Sequence, residues 1–160
     1  MDKAKDLGRV ALQERRLRFA SFDHATAWAI GSRLRQLAHE RGLSVAIEVR
    51  LHHQPLFFAA LPGTTADNAD WLRRKHNAVV RFERSSYALG LDIGEERLEQ
   101  TWGLGRRDYA LHGGCFPVFV GETCVGTVGV SGLPQREDHK LVVEVLAEHL
   151  GVGLEEVGLD

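Results

Sequence analysis

The chain has 160 residues, of which 44% are hydrophobic and 26% charged, with 20 Lys and Arg against 22 Asp and Glu and a formal net charge of -2. That length suits one domain, here taken as residues 1–160, with a core burying ~70% of the surface of the unfolded chain. Seven Phe and three Trp argue against disorder, no apolar run approaches the ~20 residues of a membrane span, and the lack of a basic surplus argues against nucleic acid as a partner.

The amino end opens into charge (Met1, Asp2, Lys3, Ala4, Lys5, Asp6) rather than into an apolar segment, so a cytoplasmic protein is expected. Two cysteines are too few for a disulfide framework. Charge is unevenly spread: residues 1–41 hold nine Lys/Arg against five Asp/Glu, and residues 131–160 hold two against seven. The two ends can attract one another within a monomer or between subunits, or be no more than solvated helix faces.

Residues 3–18 read as a helix with Leu7, Val10, Ala11 and Leu17 as its apolar positions. Asp23 suits the N-cap of a second helix over 24–41, because its carboxylate can accept an orphan backbone N–H. Ala27, Ile30, Leu34, Leu37 and Ala38 give that helix its stripe, and Gly42 supplies its left-handed end. Residues 44–51 alternate, with Val45, Ile47, Val49 and Leu51 to one side and Ser44, Ala46, Glu48 and Arg50 to the other, as in a half-buried strand. Residues 56–61 form a second apolar run, joined to the first by a hairpin at His52, His53 and Gln54. Thr65 can cap a third helix running to about 84, on which Trp71, Lys75, Val79 and Phe82 share a face. Residues 85–111, interrupted by glycines, are the least legible, with a short helix over 95–101.

Residues 114–120 and 123–131 are two strands joined at Gly121 and Glu122. Val120 then faces Thr123 and Phe119 faces Cys124. Counting on, Cys115 pairs with Val128, roughly 13 Å from Cys124 at ~3.3 Å per residue, too far for a disulfide. That register places Cys115, Phe119, Cys124, Val128 and Val130 on one face and Phe116, Val118, Val120 and Val125 on the other. Both faces are apolar and require cover, from helices or another subunit. Pro134 begins a last helix whose core face is Leu141, Val142, Val145, Leu146 and Leu150, ended by Gly151. Consecutive hairpins among helices give an α/β layered domain of the α+β class with an antiparallel sheet.

Four features bear on chemistry. His112 beside Gly113 and Gly114 joins an imidazole, able to ligate a metal or haem, to backbone that can approach a ligand closely or adopt positive φ. The competing reading is a loop that needs glycine to turn into the sheet. Ser131 lies in a strand-to-helix turn, Gly129 to Pro134, that departs from a nucleophile elbow at Leu133. Ser131, Asp138 and His139 can be written as a triad, but adjacent helical residues point apart, and the turn's N–H groups suit an anion better. Lys75 shares a face with Trp71 and can carry an ammonium across the core to a carboxylate or phosphate, or merely snorkel. The pair His52 and His53 lacks the Cys or carboxylate spacing of a structural metal site.

Several runs resemble a known uncharacterised-protein (UPF-type) family over residues 7–158: FFAALPGTTADN (57–68), Trp71 to Lys75, Arg81-Phe82 with Ser85-Ser86, HGGCFPVFV (112–120) and VGVSGLPQREDHKLVVEVL (128–146). Through Lys75, the segment from Gly113 to Pro117 and the VGVSG turn, that family resembles the wider GlcG/HbpS-like group, which includes the C-terminal domain of PduO-type corrinoid adenosyltransferases. The chain departs from its relatives at His52-His53 and at Ala66. The resemblance implies a profilin-like sandwich with helices on both faces of the sheet, assembled as a homo-oligomer. It also implies a small-molecule ligand, haem or another tetrapyrrole, at Lys75, His112, Gly113, Gly114 and Ser131. In that reading His112 is an axial ligand and Lys75 meets a propionate. The alternative is a structural or adaptor protein that binds other proteins without ligand chemistry.

Overall fold

The structure is a computed structural model that describes residues 2–160. Its elements in chain order are α1 (Lys3–Arg16), α2 (His24–Glu40), β1 (Ala46–Leu51), β2 (Gln54–Ala60), α3 (Ala66–Phe82), α4 (Ser86–Asp92), α5 (Glu95–Trp102), β3 (Cys115–Val120), β4 (Thr123–Ser131), α6 (Gln135–Leu150) and α7 (Leu154–Val157). The strands form one antiparallel sheet in the order β2-β1-β4-β3. Helices α2 and α6 cover one face and α3 the other, which is the expected α/β sandwich.

Helix starts follow local chemistry. Asp23 accepts from the Thr26 amide at 2.8 Å, and Thr65 and Asn68 form a reciprocal capping box at the head of α3. The main core lies between the sheet and α2 and α6, built from Ile30, Leu34, Ile47, Val49, Phe116, Val118, Val128, Val130, Val142 and Leu146, all buried.

Three expectations are corrected. β1 is buried on both faces rather than one: Glu48, on the α3 side, is 8% exposed, its carboxylate accepting from Arg50 Nε at 2.6 Å. In the second hairpin, Val120 pairs with Thr123 and Phe119 with Cys124 as expected, but the register then shifts, and Cys115 pairs with Gly129. Val125 is the extra residue of this bulge. One inserted residue turns every later side chain over, so Val128 and Val130 join Phe116 and Val118 in the main core. The cysteines stay unbridged. Finally, residues 85–111 hold two helices, α4 besides α5; Ser85 Oγ caps α4 by accepting from the Ala88 amide at 3.2 Å. Ala78, Leu89, Leu98 and Leu111 form a small second core there.

The oppositely charged ends meet within the chain. Arg16 holds Glu156, Arg33 holds Glu148 and Arg41 holds Glu144, at 2.6, 2.8 and 2.6 Å, and Lys5 pairs with Asp160. The inward side of α1 is accordingly half polar: besides Val10 it buries Asp6 and Gln13, and not Ala11, which is exposed. Asp6 accepts from Tyr87 Oη at 2.6 Å and from Arg136 Nε at 3.0 Å, while His139 Nε2 donates to Gln13 Oε1 at 2.7 Å.

Candidate functional site

A cleft of about 250 Å³ opens where the first half of α3, the loop before β3 and the turn from β4 into α6 converge. Lys75, His112 and Ser131 line it, together with Asn68, Trp71 and Asp138. Three of the five residues expected from sequence thus come together. Gly113 and Gly114 stand behind the lining, and their missing side chains serve the protein itself. A Cβ on Gly113 would strike the Gln135 carbonyl. Gly114 has a φ of +126° and would place a Cβ against the Val130 carbonyl and 2.8 Å from Lys75 Nζ.

Lys75 and Asp138 form the floor. Lys75 Nζ donates to the carbonyls of Gly113 at 2.8 Å and Val130 at 3.2 Å and reaches Asp138 Oδ2 at 3.4 Å. Three partners match the three donors of an ammonium, so no N–H is left for the propionate expected of this residue. Burial pushes the Lys75 ammonium down from its ordinary value against the pull of Asp138. Asp138 is pushed up to about 6 by its own burial, opposed by Lys75 and by backbone N–H groups. Those N–H groups belong to Leu133, at 2.9 Å, and Gly132, at 3.3 Å. Asp138 therefore occupies the turn donors that the sequence had suggested for an external anion.

The written triad does not assemble. Ser131 faces Asn68, whose Nδ2 lies 3.5 Å from Oγ, whereas His139 is buried against Gln13, Tyr87 and Phe116 and is held neutral, its pKa lowered to about 3 mainly by burial. Nor do His52 and His53 form a pair: His53 Nδ1 instead meets His76 Nε2 at 3.1 Å, and His76 Nδ1 bonds Thr127 Oγ1 at 2.6 Å.

His112 is the open group. Its side chain is 42% exposed, but Nδ1 is buried and makes no hydrogen bond, so the exposed share falls on the rest of the side chain. The ring meets Trp71 edge-on, with centroids 5.1 Å apart at 90°. The Arg74 guanidinium also lies over the Trp71 ring, 4.1 Å from its centre. A second hollow, of about 350 Å³, shares His112 and Gln135 with the cleft and adds Glu95, Arg106, Leu91 and Leu111. Sequence reasoning missed Asn68, Glu95 and Gln135 and gave Asp138 another role. Asn68 carried the only local signal, three residues after a capping Thr.

The model of the family described as haem degrading protein, HbpS-like, matches residues 22–147. A UPF0303 protein of Azotobacter vinelandii is 55% identical over 164 aligned positions, covering 100% of this chain and 98% of the relative. Among solved structures, that of the Ybr137w protein superposes with a TM-score of 0.84 at 27% identity, over 91% of this chain and 87% of that one. The structure of the PduOC–haem complex gives 0.65 at 15% identity, over 79% and 92%, a likeness of fold. The chain belongs to the HbpS-like family, and its relatives include proteins named UPF0303.

Proposed function

We propose that this protein binds a tetrapyrrole, haem before a corrinoid, across the cleft at His112. The observation that carries the reading is the imidazole itself: its Nδ1 is buried, its side chain is part exposed, and it lines both hollows. A nitrogen so presented is the donor that an iron axial position takes. The cleft alone is too small to enclose a macrocycle, and the residues that would hold one line both hollows, with His112 shared between them. Trp71 and Leu133 offer apolar contact on one side, Leu91 and Leu111 on the other.

Each side chain then has a separable task. His112 would hold the central metal, and Trp71 packs against the imidazole at right angles. Lys75 acts indirectly, pinning the Gly113 carbonyl and Asp138 and so the shape of the floor. Arg106, 73% exposed beside the second hollow, is the cation placed to meet a propionate. Bound haem would supply a redox-active iron. The family description and the haem-bound structural neighbour support this ligand class.

Haemin titrated into the purified protein tests it. A Soret shift with quenching of Trp71, lost in His112→Ala, is expected; cobalamin in a parallel titration separates the two ligand types. No shift in the wild type, or an unchanged shift in His112→Ala, defeats the proposal.

One observation favours a second reading, in which the assembly surface is the functional object. β2 is an edge strand with no charged residue; its own Phe58 is 48% exposed, and Trp28, packed on Phe57, is 64% exposed. An uncharged edge can pair antiparallel with its own copy without like-charge repulsion.

A further inference from the structure

Among the described residues, His112 Nδ1 is the one buried side-chain nitrogen at the cleft with no hydrogen bond, and an unmet buried polar atom calls for an explanation. The charged group facing it is the Glu95 carboxylate, with Oε1 at 3.4 Å. Glu95 is fixed from its other side, where Arg106 Nε donates to Oε2 at 2.9 Å. It stands in the first turn of α5, and its side chain is 23% exposed. Trp71 also meets the imidazole, at right angles with centroids 5.1 Å apart. The ring thus touches both an indole and a carboxylate that is itself held by a guanidinium.

We propose that Glu95 is the positioning residue of the site: it draws the His112 proton onto Nδ1 and leaves the Nε2 lone pair facing the cleft. A neutral imidazole carries one N–H, and the partner of one nitrogen decides which atom keeps the lone pair. Carboxylates play this part behind ligating histidines, fixing the tautomer and raising the basicity of the donor nitrogen. At 3.4 Å the Glu95 carboxylate is within ion-pair reach of Nδ1, which makes no hydrogen bond in the ligand-free protein, and such contacts tighten when a site is loaded. The identity of the atom that Nε2 would meet rests on the tetrapyrrole reading. The tautomer does not.

The test uses nitrogen-15-labelled ligand-free protein. Long-range proton–nitrogen correlations then report which ring nitrogen carries the proton. Wild type is expected to carry it on Nδ1. Glu95→Gln, whose amide oxygen can still accept, should keep most of that population, and Glu95→Ala should shift it to Nε2. In haemin titrations Glu95→Ala should bind about 10- to 100-fold more weakly. Glu95→Gln should bind nearer to wild type but with a more positive iron midpoint potential, because the donor has lost its negative partner. A merely structural role for Glu95 would move neither tautomer nor potential in a folded Gln variant. A wild-type proton on Nε2, or equal populations in wild type and Glu95→Ala, overturns the assignment. If the tautomer behaves as stated and haemin fails to bind wild type, the tetrapyrrole reading falls and the role of Glu95 stands.

Discussion

Lys75 on α3 and Asp138 on α6 meet with 3.4 Å between Nζ and Oδ2, their side chains 4% and 3% exposed. The pair ties the helix on one face of the sheet to the start of the helix on the other, at the floor of the cleft. Removing one partner leaves a buried charge uncompensated. Lys75→Met and Asp138→Leu should each cost about 3–5 kcal/mol, read as a lower midpoint in chemical denaturation. The double variant should be less destabilised than the sum of the two, because neither charge is then stranded. Additive losses would mean that the pair is not coupled.

Two buried histidines set the acid limit of the fold. His76 and His139 are lowered from 6.5 to about 3, chiefly by burial. A depressed folded-state value means stability that is present above pH 6.5 and lost as the pH falls toward 3, by up to about 1.4 kcal/mol per pH unit for each group. Asp138 acts in the opposite sense: raised from 3.8 to about 6, its contribution is full below 3.8 and lost as the pH rises through 6. Glu14, also raised by burial, acts with Asp138, and Asp6, lowered by its bond from Arg136, acts with the histidines; the two large imidazole shifts dominate and leave a net loss on acidification. Denaturation midpoints at several pH values should fall below pH 6.5, and His139→Gln should flatten the slope.

The thiols should be inert in the folded protein. Cys115 is buried and pushed up to about 12 by that burial, and Cys124, half-buried, is also raised. The thiolate is the reactive form, so alkylation at pH 8 should leave Cys115 unmodified and touch Cys124 only slowly, with both reacting in denaturant. Rapid modification of Cys115 in native protein would contradict its placement.

If β2 pairs with a second copy, light scattering should give a mass of more than one chain. Phe58→Lys with Trp28→Ser should reduce it to a single chain without loss of folded signal, since both side chains are exposed. A wild type that already runs as one chain removes the assembly reading.

Local chemistry made much of the fold legible in the sequence. Asp23 and Thr65 announce helices because their side chains satisfy amides two or three residues away, and Gly42 and Gly151 end them with φ values of +64° and +68°. The hairpin at Gly121 follows from a turn residue between two apolar runs. Register does not follow in this way. Both faces of the second hairpin are apolar, so no pattern revealed the extra residue at Val125 or the side to which Val128 turns. Residues 85–111 were opaque because α4 and α5 are short and owe their stability to packing on α3 rather than to their own periodicity.

The site divides in the same manner. His112, Lys75 and Ser131 could be picked out by residue type and neighbours, and Gly113 and Gly114 by their freedom of backbone. What each group does was decided by residues far along the chain: the ammonium of Lys75 is satisfied by Gly113, Val130 and Asp138, 38 to 63 positions away, and the inward nitrogen of His112 meets Glu95 across a loop. Sequence by itself determined which chemistry was available, because side-chain type is local. Only the tertiary structure decided which donors were already taken and which lone pair remained open, because burial and partners are properties of the packed chain.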